Sequence, residues 1–340
     1  MFVLQVAMVK GRGGIATAIA HYERMFRTVG VRSALLFSGP DGADLQAQGA
    51  DVIPAPSVLT SPFARLPGVL SDVRRAILER AGGDEIVVIV HSDRTMAALQ
   101  GLLPNALFVA PCHSDKTKHK ASADLVITLN EAQHAAASAA LPSTRVRLLG
   151  NPFVPASSQS APQPQSSGPP RINFVGRFEG FKDPLTLVRA FLAAALPTDI
   201  TLRLIGAGAL ETELRAAAAP AAERIEFAGW LPDAFSHFDA RDVLVLPSTW
   251  ESYSYVIREA LHFGVPVLAS DIHVHRSALG DGAFGRLFPV ADATALAAVL
   301  QAAVSDLPSL RAQAARGGDM VRATYGAEPF FKRLSEALKR

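Results

Sequence analysis

The chain has 340 residues, of which 49% are hydrophobic and 19% charged, with a formal net charge of +2. At about 100–200 residues per domain this is material for two globular cores, and so small a net charge leaves no electrostatic footprint for nucleic acid. Cys112 is the only cysteine, which excludes an intrachain disulfide and fits a reducing compartment.

Apolar runs at residues 3–9, 33–37, 51–54, 86–90, 107–110, 125–129 and 146–149 are short and rich in Val, Ile and Leu. That is the composition of parallel strands buried on both faces. No apolar run reaches the ~18–20 residues that cross a bilayer. The N-terminus, MFVLQVAMVKGRGG, lacks a basic leader segment and is expected to be the first strand of a cytoplasmic protein. Between the runs lie helical patterns, such as residues 17–29 with Ile19, Tyr22, Met25 and Phe26 on one face. This alternation predicts a doubly wound α/β sheet.

The first strand turns through Lys10-Gly11-Arg12-Gly13-Gly14 into a helix. Glycines there let backbone N–H groups approach a phosphate at the positive end of the helix dipole. Gly11, Gly13 and Ala16 fit a dinucleotide pattern, but the acid it requires after the second strand is missing, Asp41 falling late. The alternative is a tight turn without a ligand. Residues 63–80, FARLPGVLSDVRRAILER, read as one surface helix, with an anionic membrane surface as the alternative resting place. His91-Ser92-Asp93 and Cys112-His113-Ser114 each end a strand. Both would point into a ligand cleft, against structural or capping roles for each. Together with Cys112 and His119 they have no zinc-ligand spacing.

Residues 155–170, PASSQSAPQPQSSGPP, cannot build a core and read as a linker. The expected division is 1–153 and 171–325 as two Rossmann-like domains, 154–170 as the linker, and 326–340 as a closing helix, a candidate to cross back to the first domain. In the second domain strands are expected at 172–175, 201–205, 225–228, 243–246, 265–269 and 285–288. Helices are expected at 184–194, 210–218, 253–263 and 293–303, the last capped by Asp292, with two more after Leu307. Two such domains facing each other leave a cleft at the carboxyl ends of their strands, where open α/β sheets bind ligands.

Three features of the second domain carry chemistry. Arg177 and Lys182, in the loop after its first strand, can neutralise a diphosphate; the alternative is a pair of surface cations flanking Glu179. Asp183 and Pro184 suit the start of the following helix. Leu204-Ile205-Gly206-Ala207-Gly208 is a glycine turn that lacks the dinucleotide continuation at Glu211, so packing and ligand roles for Gly208 stay open. Glu251 and Glu259 are eight residues apart, with Ser252 expected to cap a helix over 253–263. On such a helix the carboxylates start about 12 Å apart along the axis and within about 80° of one face. That suits two grips on one extended ligand better than acid/base work at one bond, which needs about 5–9 Å.

Taken together these residues resemble glycosyltransferase family 4, retaining enzymes of the GT-B fold with an E-x7-E signature. Glu251-x7-Glu259 lies within LPSTWESYSYVIREALHFGVPVLASD. Gly176-Arg177-Phe178 with Lys182 resembles the family's GR-x-x-x-x-K, Leu204-Ile205-Gly206-x-Gly208 its L-x-I-x-G-x-G, Ile225-x-Phe227-x-Gly229 its V-x-F-x-G, and Gly13-Gly14-Ile15-Ala16 its N-terminal glycine loop. The motifs run from residue 11 to 271 in the family's order. The resemblance implies that Arg177 and Lys182 hold the diphosphate of a nucleotide-sugar donor, with Gly13 and Gly14 approaching it. Glu259 would then bind the ribose, Glu251 the transferred sugar, and an N-domain histidine, His113 before His91, the sugar as well. It implies retention of configuration, no cofactor and no metal, in keeping with the lack of an Asp-x-Asp motif, and a glycan or lipid-linked acceptor at or near the inner face of the membrane. Ser254-Tyr255, where the family has most often Gly, and Asn151-Pro152, where it has Asn-Gly, are departures. The rival readings are a GT-B epimerase, a non-catalytic two-domain sugar-binding protein and a nicotinamide dehydrogenase.

Overall fold

The computed structural model describes residues 1–9, 13–39, 42–66, 68–156, 169–231 and 233–339. Gly11, Asp41 and most of the expected linker, residues 157–168, lie outside them. The chain divides into two compact units, Met1–Val154 with Thr324–Arg340, and Pro155–Ala323.

The first unit follows the expected alternation: β1 (Phe2–Met8), α1 (Gly14–Thr28), β2 (Ser33–Ser38), α2 (Gly42–Ala47), β3 (Val52–Pro54), α3 (Ser71–Ala81), β4 (Ile86–Val90), α4 (Met96–Leu102), β5 (Leu107–Pro111), β6 (Leu125–Thr128), α5 (Glu131–Ala140) and β7 (Arg145–Leu148). Its seven parallel strands lie in the order β3-β2-β1-β4-β5-β6-β7. The strand order reverses between β1 and β4, and such a reversal opens a crevice at the carboxyl ends of the strands. Val3, Leu4, Val6, Val88 and Val90 are almost fully buried, which is why these strands read as continuous apolar runs.

The second unit contains β8 (Arg171–Val175), α6 (Pro184–Ala193), β9 (Thr201–Ile205), α7 (Glu211–Ala218), β10 (Ile225–Gly229), β11 (Val243–Leu246), α8 (Tyr255–His262), β12 (Val267–Ser270), α9 (His273–Ala278), β13 (Arg286–Phe288), α10 (Ala293–Ser305) and most of α11 (Leu307–Tyr325). Its six parallel strands run β10-β9-β8-β11-β12-β13, the same order with the reversal between β8 and β11. Asp183 and Asp292 cap α6 and α10, accepting from the backbone N–H of Thr186 and Ala295. The chain ends in α12 (Ala327–Leu338), whose Phe330 and Leu334 pack with Tyr22, Met25 and Phe26 of α1 inside the first unit. Among the described residues no single helix is long and apolar enough to cross a membrane.

Two expected helices are drawn differently. Residues 63–80 do not form one helix: a 3-10 turn over Pro62–Arg65 is followed by α3, which starts only at Ser71. Leu66 precedes Pro67, which disfavours helical backbone at Leu66, and Gly68 turns at φ +83°. The helix expected over 253–263 begins two residues later, at Tyr255, with Ser254 rather than Ser252 at its N-cap.

Candidate active site

In the second unit the predicted residues gather at the strand reversal. β8 runs out into Gly176-Arg177-Phe178, and the glycine turn after β9 cradles that loop: Gly176 N donates to Ile205 O (3.0 Å) and Phe178 N to Ala207 O (2.9 Å). A Cβ on Gly206 would come within 1.9 Å of Gly176 O, and one on Gly208 within 2.5 Å of Phe178 O. Real Cβ atoms do not approach backbone so closely, so both glycines are required by the packing of this loop. That accounts for Gly208 without a ligand. Phe178 is buried in the core beneath, while Arg177 stays at the surface, its guanidinium 5.3 Å from the Phe181 ring and in no salt bridge among the described residues.

Lys182 follows on a short 3-10 turn and forms an ion pair with Glu251. Neither cation pairs with Glu179 among the described residues, in contrast to the bland alternative for this pair. Thr249 N donates to Phe181 O (2.8 Å), joining the loop after β8 to the loop after β11. The Lys182 and Glu251 side chains are 13% and 9% exposed, so the pair is largely withdrawn from water. Ser248 Oγ donates to Glu251 Oε1 (3.2 Å), and His275 Nε2 approaches the same oxygen at 3.9 Å. Burial pushes the Glu251 carboxyl up, but His275 and Lys182 outweigh it and hold it below the ordinary carboxylate range. All these contacts fall on Oε1. Glu251 Oε2 has no partner among the described residues and is open to accept a hydrogen bond from a ligand hydroxyl.

His275 is a residue the sequence did not point to. It is fully buried on α9, and its Nδ1 donates to Ser270 O (3.0 Å), which turns Nε2 toward Glu251. Ser270 Oγ in turn donates to Ser248 O. The ends of β11 and β12 are thereby tied together beneath the carboxylate. Glu259 lies on α8, four residues after its start, and is partly exposed. Glu251 precedes that helix by four residues, so the helical spacing expected for the two carboxylates does not apply to them. The loop holding Glu251 is kept out of the helix by the Lys182 and Ser248 contacts and by the Tyr253–Tyr255 edge-on pair, 4.9 Å between centroids.

In the first unit the strand reversal brings together the N-terminus of α1 and the ends of β1, β4 and β5. Gly13 is extended (φ 168°) and serves as N-cap of α1 without a side-chain cap. A Cβ at Gly13 or Gly14 would meet nothing within 4 Å. Neither glycine is therefore demanded by the fold, which distinguishes them from Gly206 and Gly208. Ser92 Oγ accepts from Met8 N (2.8 Å), tying β4 to β1. His91 and His113 are hydrogen-bonded neighbours, Nδ1 to Nε2 at 2.8 Å; His91 is buried and His113 is partly exposed. Behind them the buried Lys120 is ion-paired with Asp93. No cluster of His, Cys, Asp and Glu suited to a metal occurs among the described residues.

Comparison with known proteins gives this geometry a family context. Residues 169–306 match the family model described as Glycosyl transferases group 1. A phosphatidyl-myo-inositol mannosyltransferase of Mycobacterium leprae is 33% identical over 168 residues, 47% of this chain and 45% of that protein. The chain thus spans under half the length of this curated relative. Among solved structures, an Anabaena protein, HepE, in complex with UDP and glucose superimposes with a TM-score of 0.76 at 16% identity, covering 99% of both chains. The pneumococcal O-GlcNAc transferase GtfA in complex with UDP and GlcNAc gives 0.73 at 15% identity, covering 100% of this chain and 99% of that one. The chain thus has the two-unit GT-B fold of these solved proteins, and its residues 169–306 are similar to Glycosyl transferases group 1.

Proposed function

We propose that this chain is a retaining, metal-independent glycosyltransferase that moves a sugar from a nucleotide-diphosphate sugar to an acceptor hydroxyl of a glycan or glycolipid. The observation that carries the reading is the charge arrangement at the reversal in the second unit. Arg177, in no salt bridge among the described residues, and half-buried Lys182 share the loop after β8, and the Glu251 carboxylate that Lys182 pairs with has one oxygen engaged and the other open. Two cations at one strand end stabilise the charge that develops on a departing diphosphate. The open Glu251 oxygen accepts from a sugar hydroxyl and fixes the sugar against it. Glu259 takes the ribose diol. Gly13 and Gly14, where a Cβ would meet nothing, leave the first turn of α1 open to a phosphate.

The names of the relatives support the substrate classes: the mannosyltransferase is named for a phosphatidyl-inositol acceptor, and both solved proteins hold UDP with a sugar. Assay of donor turnover with Arg177→Ala, Lys182→Ala and Glu259→Ala tests the site, and full turnover in all three would sink it. Product analysis with and without acceptor separates transfer from epimerisation of the donor.

The acceptor class suggests work at the inner face of the membrane, and Phe63, Leu66 and Val69 are exposed large apolar residues just before α3. Co-sedimentation with anionic vesicles checks this: wild type is expected in the pellet, Phe63→Ser/Leu66→Ser in the supernatant.

A further inference from the structure

The hydrogen bonds behind His113 give its ring a direction. Glu23, on α1 and 4% exposed, accepts from Gln5 Nε2 at 2.5 Å and from Ser33 Oγ at 3.2 Å. Because Gln5 turns its amide N–H toward that carboxylate, its Oε1 faces the other way, 2.8 Å from His91 Nε2. A carbonyl oxygen only accepts, so His91 Nε2 carries a proton. Burial holds the His91 imidazole neutral, well below its ordinary pKa, which leaves its Nδ1 as a lone pair. That lone pair lies 2.8 Å from His113 Nε2. The two ring centroids are 5.1 Å apart with planes only 24° from parallel. With a nitrogen–nitrogen approach of 2.8 Å this places the rings edge to edge in nearly one plane, the geometry of an N–H···N bond and not of face-to-face stacking. His113 Nε2 must therefore donate. His113 is itself held neutral, its pKa lowered to about 3 by burial and by Lys120, so its single ring proton is used toward His91.

We infer that Glu23, Gln5 and His91 are positioning residues that hold His113 as its Nε2–H tautomer, so that Nδ1 is presented as an acceptor for a hydroxyl of the bound ligand. The inference rests on the proposed glycosyltransferase reading, in which that ligand is a sugar. It narrows the sugar class. A fixed lone pair takes a free hydroxyl and refuses a carboxylate or an ether oxygen at the same place, because neither has a proton to give. A neutral sugar is accepted there and the corresponding uronic acid or O-methyl sugar is not. The reverse direction of the whole chain is available only with a proton on Glu23, whose carboxyl burial pushes up against the hydrogen bonds from Gln5 and Ser33, and it would turn the Gln5 amide over and put the His113 proton on Nδ1.

The test reads the tautomer directly. Protein labelled with 15N-histidine is measured by two-bond 15N–1H correlation at pH 7 without ligand, the nine histidines being assigned by single substitutions. The expected spectrum shows a protonated-type Nε2 and a bare Nδ1 for His113; a proton on Nδ1, or an equal mixture, overturns the inference. Gln5→Leu is expected to give mixed tautomers and a fall in kcat/KM of about 10- to 100-fold, by analogy with removing the partner that orients a metal-bound imidazole. The paired exchange Gln5→Glu with Glu23→Gln keeps an acceptor toward His91 and is expected to restore both readouts. If Gln5→Leu leaves the tautomer unchanged, or the paired exchange is no better than Gln5→Leu, the relay is wrong. Should Gln5→Leu fail to fold, the wild-type spectrum alone still decides. The expected tautomer in a protein that turns over no nucleotide sugar defeats the function and leaves the relay standing; turnover with the proton on Nδ1 does the opposite.

Discussion

Replacing Lys182 by Met isolates the energetics at the centre of the second unit. The Glu251 side chain is 9% exposed and its carboxyl is kept ionised, against the push of burial, by His275 and Lys182. Removing one partner of a buried pair costs about 3–5 kcal/mol because the remaining charge is uncompensated. Here Ser248 and His275 stay in place, so about 3 kcal/mol is expected. Glu251→Gln should cost less, since Lys182 is 13% exposed and can carry its ammonium to water on a flexible stem. The double variant, with no charge left to bury, should cost less than the sum of the two singles by at least about 1 kcal/mol. Urea unfolding followed by tryptophan emission reads this unit alone, because both tryptophans, Trp230 and Trp250, lie in it. With a slope of about 1–3 kcal/mol per molar urea, Lys182→Met should move the midpoint by at least about 1 M. The pH dependence has a definite sign. A carboxyl whose folded pKa is depressed contributes stability above its unfolded pKa and loses it as pH falls through the folded value. In Lys182→Met one of the groups that depress the folded pKa is gone, so the loss of stability on acidification should be smaller than in the wild type. Additive single effects, or a Lys182→Met cost within the about 0.5 kcal/mol of ordinary surface changes, would refute the reasoning.

Other predictions follow from single residues. Gly14→Val should leave the unfolding midpoint of the first unit nearly unchanged, since its Cβ has open space, yet weaken nucleotide-sugar binding in calorimetry; equal binding would remove Gly14 from the phosphate site. Gly208→Ala should instead destabilise the second unit, because its Cβ meets Phe178 backbone at 2.5–2.8 Å, and thermal unfolding of the free protein checks it. Burial lowers the pKa of His21 to about 3 and that of His91 well below 6.5. A histidine whose folded pKa is lowered binds fewer protons folded than unfolded, so stability falls as pH drops below about 6.5, by about 1.4 kcal/mol per pH unit for each histidine. Acid titration followed by the amide NMR signals of residues 1–154 should show loss of the first unit starting there, and a flat profile to pH 4 would show that these rings charge without unfolding.

Much of the architecture was legible because burial on both faces of a parallel sheet writes itself as uninterrupted apolar runs. β1 and β4, with Val3, Leu4, Val6, Val88 and Val90 buried, are the plainest cases. The caps Asp183 and Asp292 were legible because their side chains act within three residues. What failed depends on partners distant in sequence or on a single backbone angle. The apolar and arginine pattern of residues 63–80 looked helical throughout, but the backbone is extended at Leu66 and left-handed at Gly68, and Arg74 and Arg80 are engaged by Leu102 O and Asp51. The start of α8 moved because Glu251 is held by Lys182, 69 residues away in sequence. His275 was illegible altogether: nothing in His273-Val274-His275 shows that one ring is buried under a carboxylate contributed by the loop after β11. The glycines of the second turn could be read as ligand binders or as packing, and the packing demand shows only in the distance from a notional Cβ to Gly176 and Phe178.

The most direct test of the account is isothermal titration of the wild-type chain with UDP, GDP and their hexose conjugates, each followed by assay of nucleotide release with and without acceptor. At least one nucleotide-diphosphate sugar is expected to bind with its diphosphate as the anchor, so that Arg177→Ala and Lys182→Ala both weaken binding of the free nucleotide as well, and its nucleotide is expected to be released in step with sugar transfer. Binding of a free sugar with no binding of any nucleotide would contradict it.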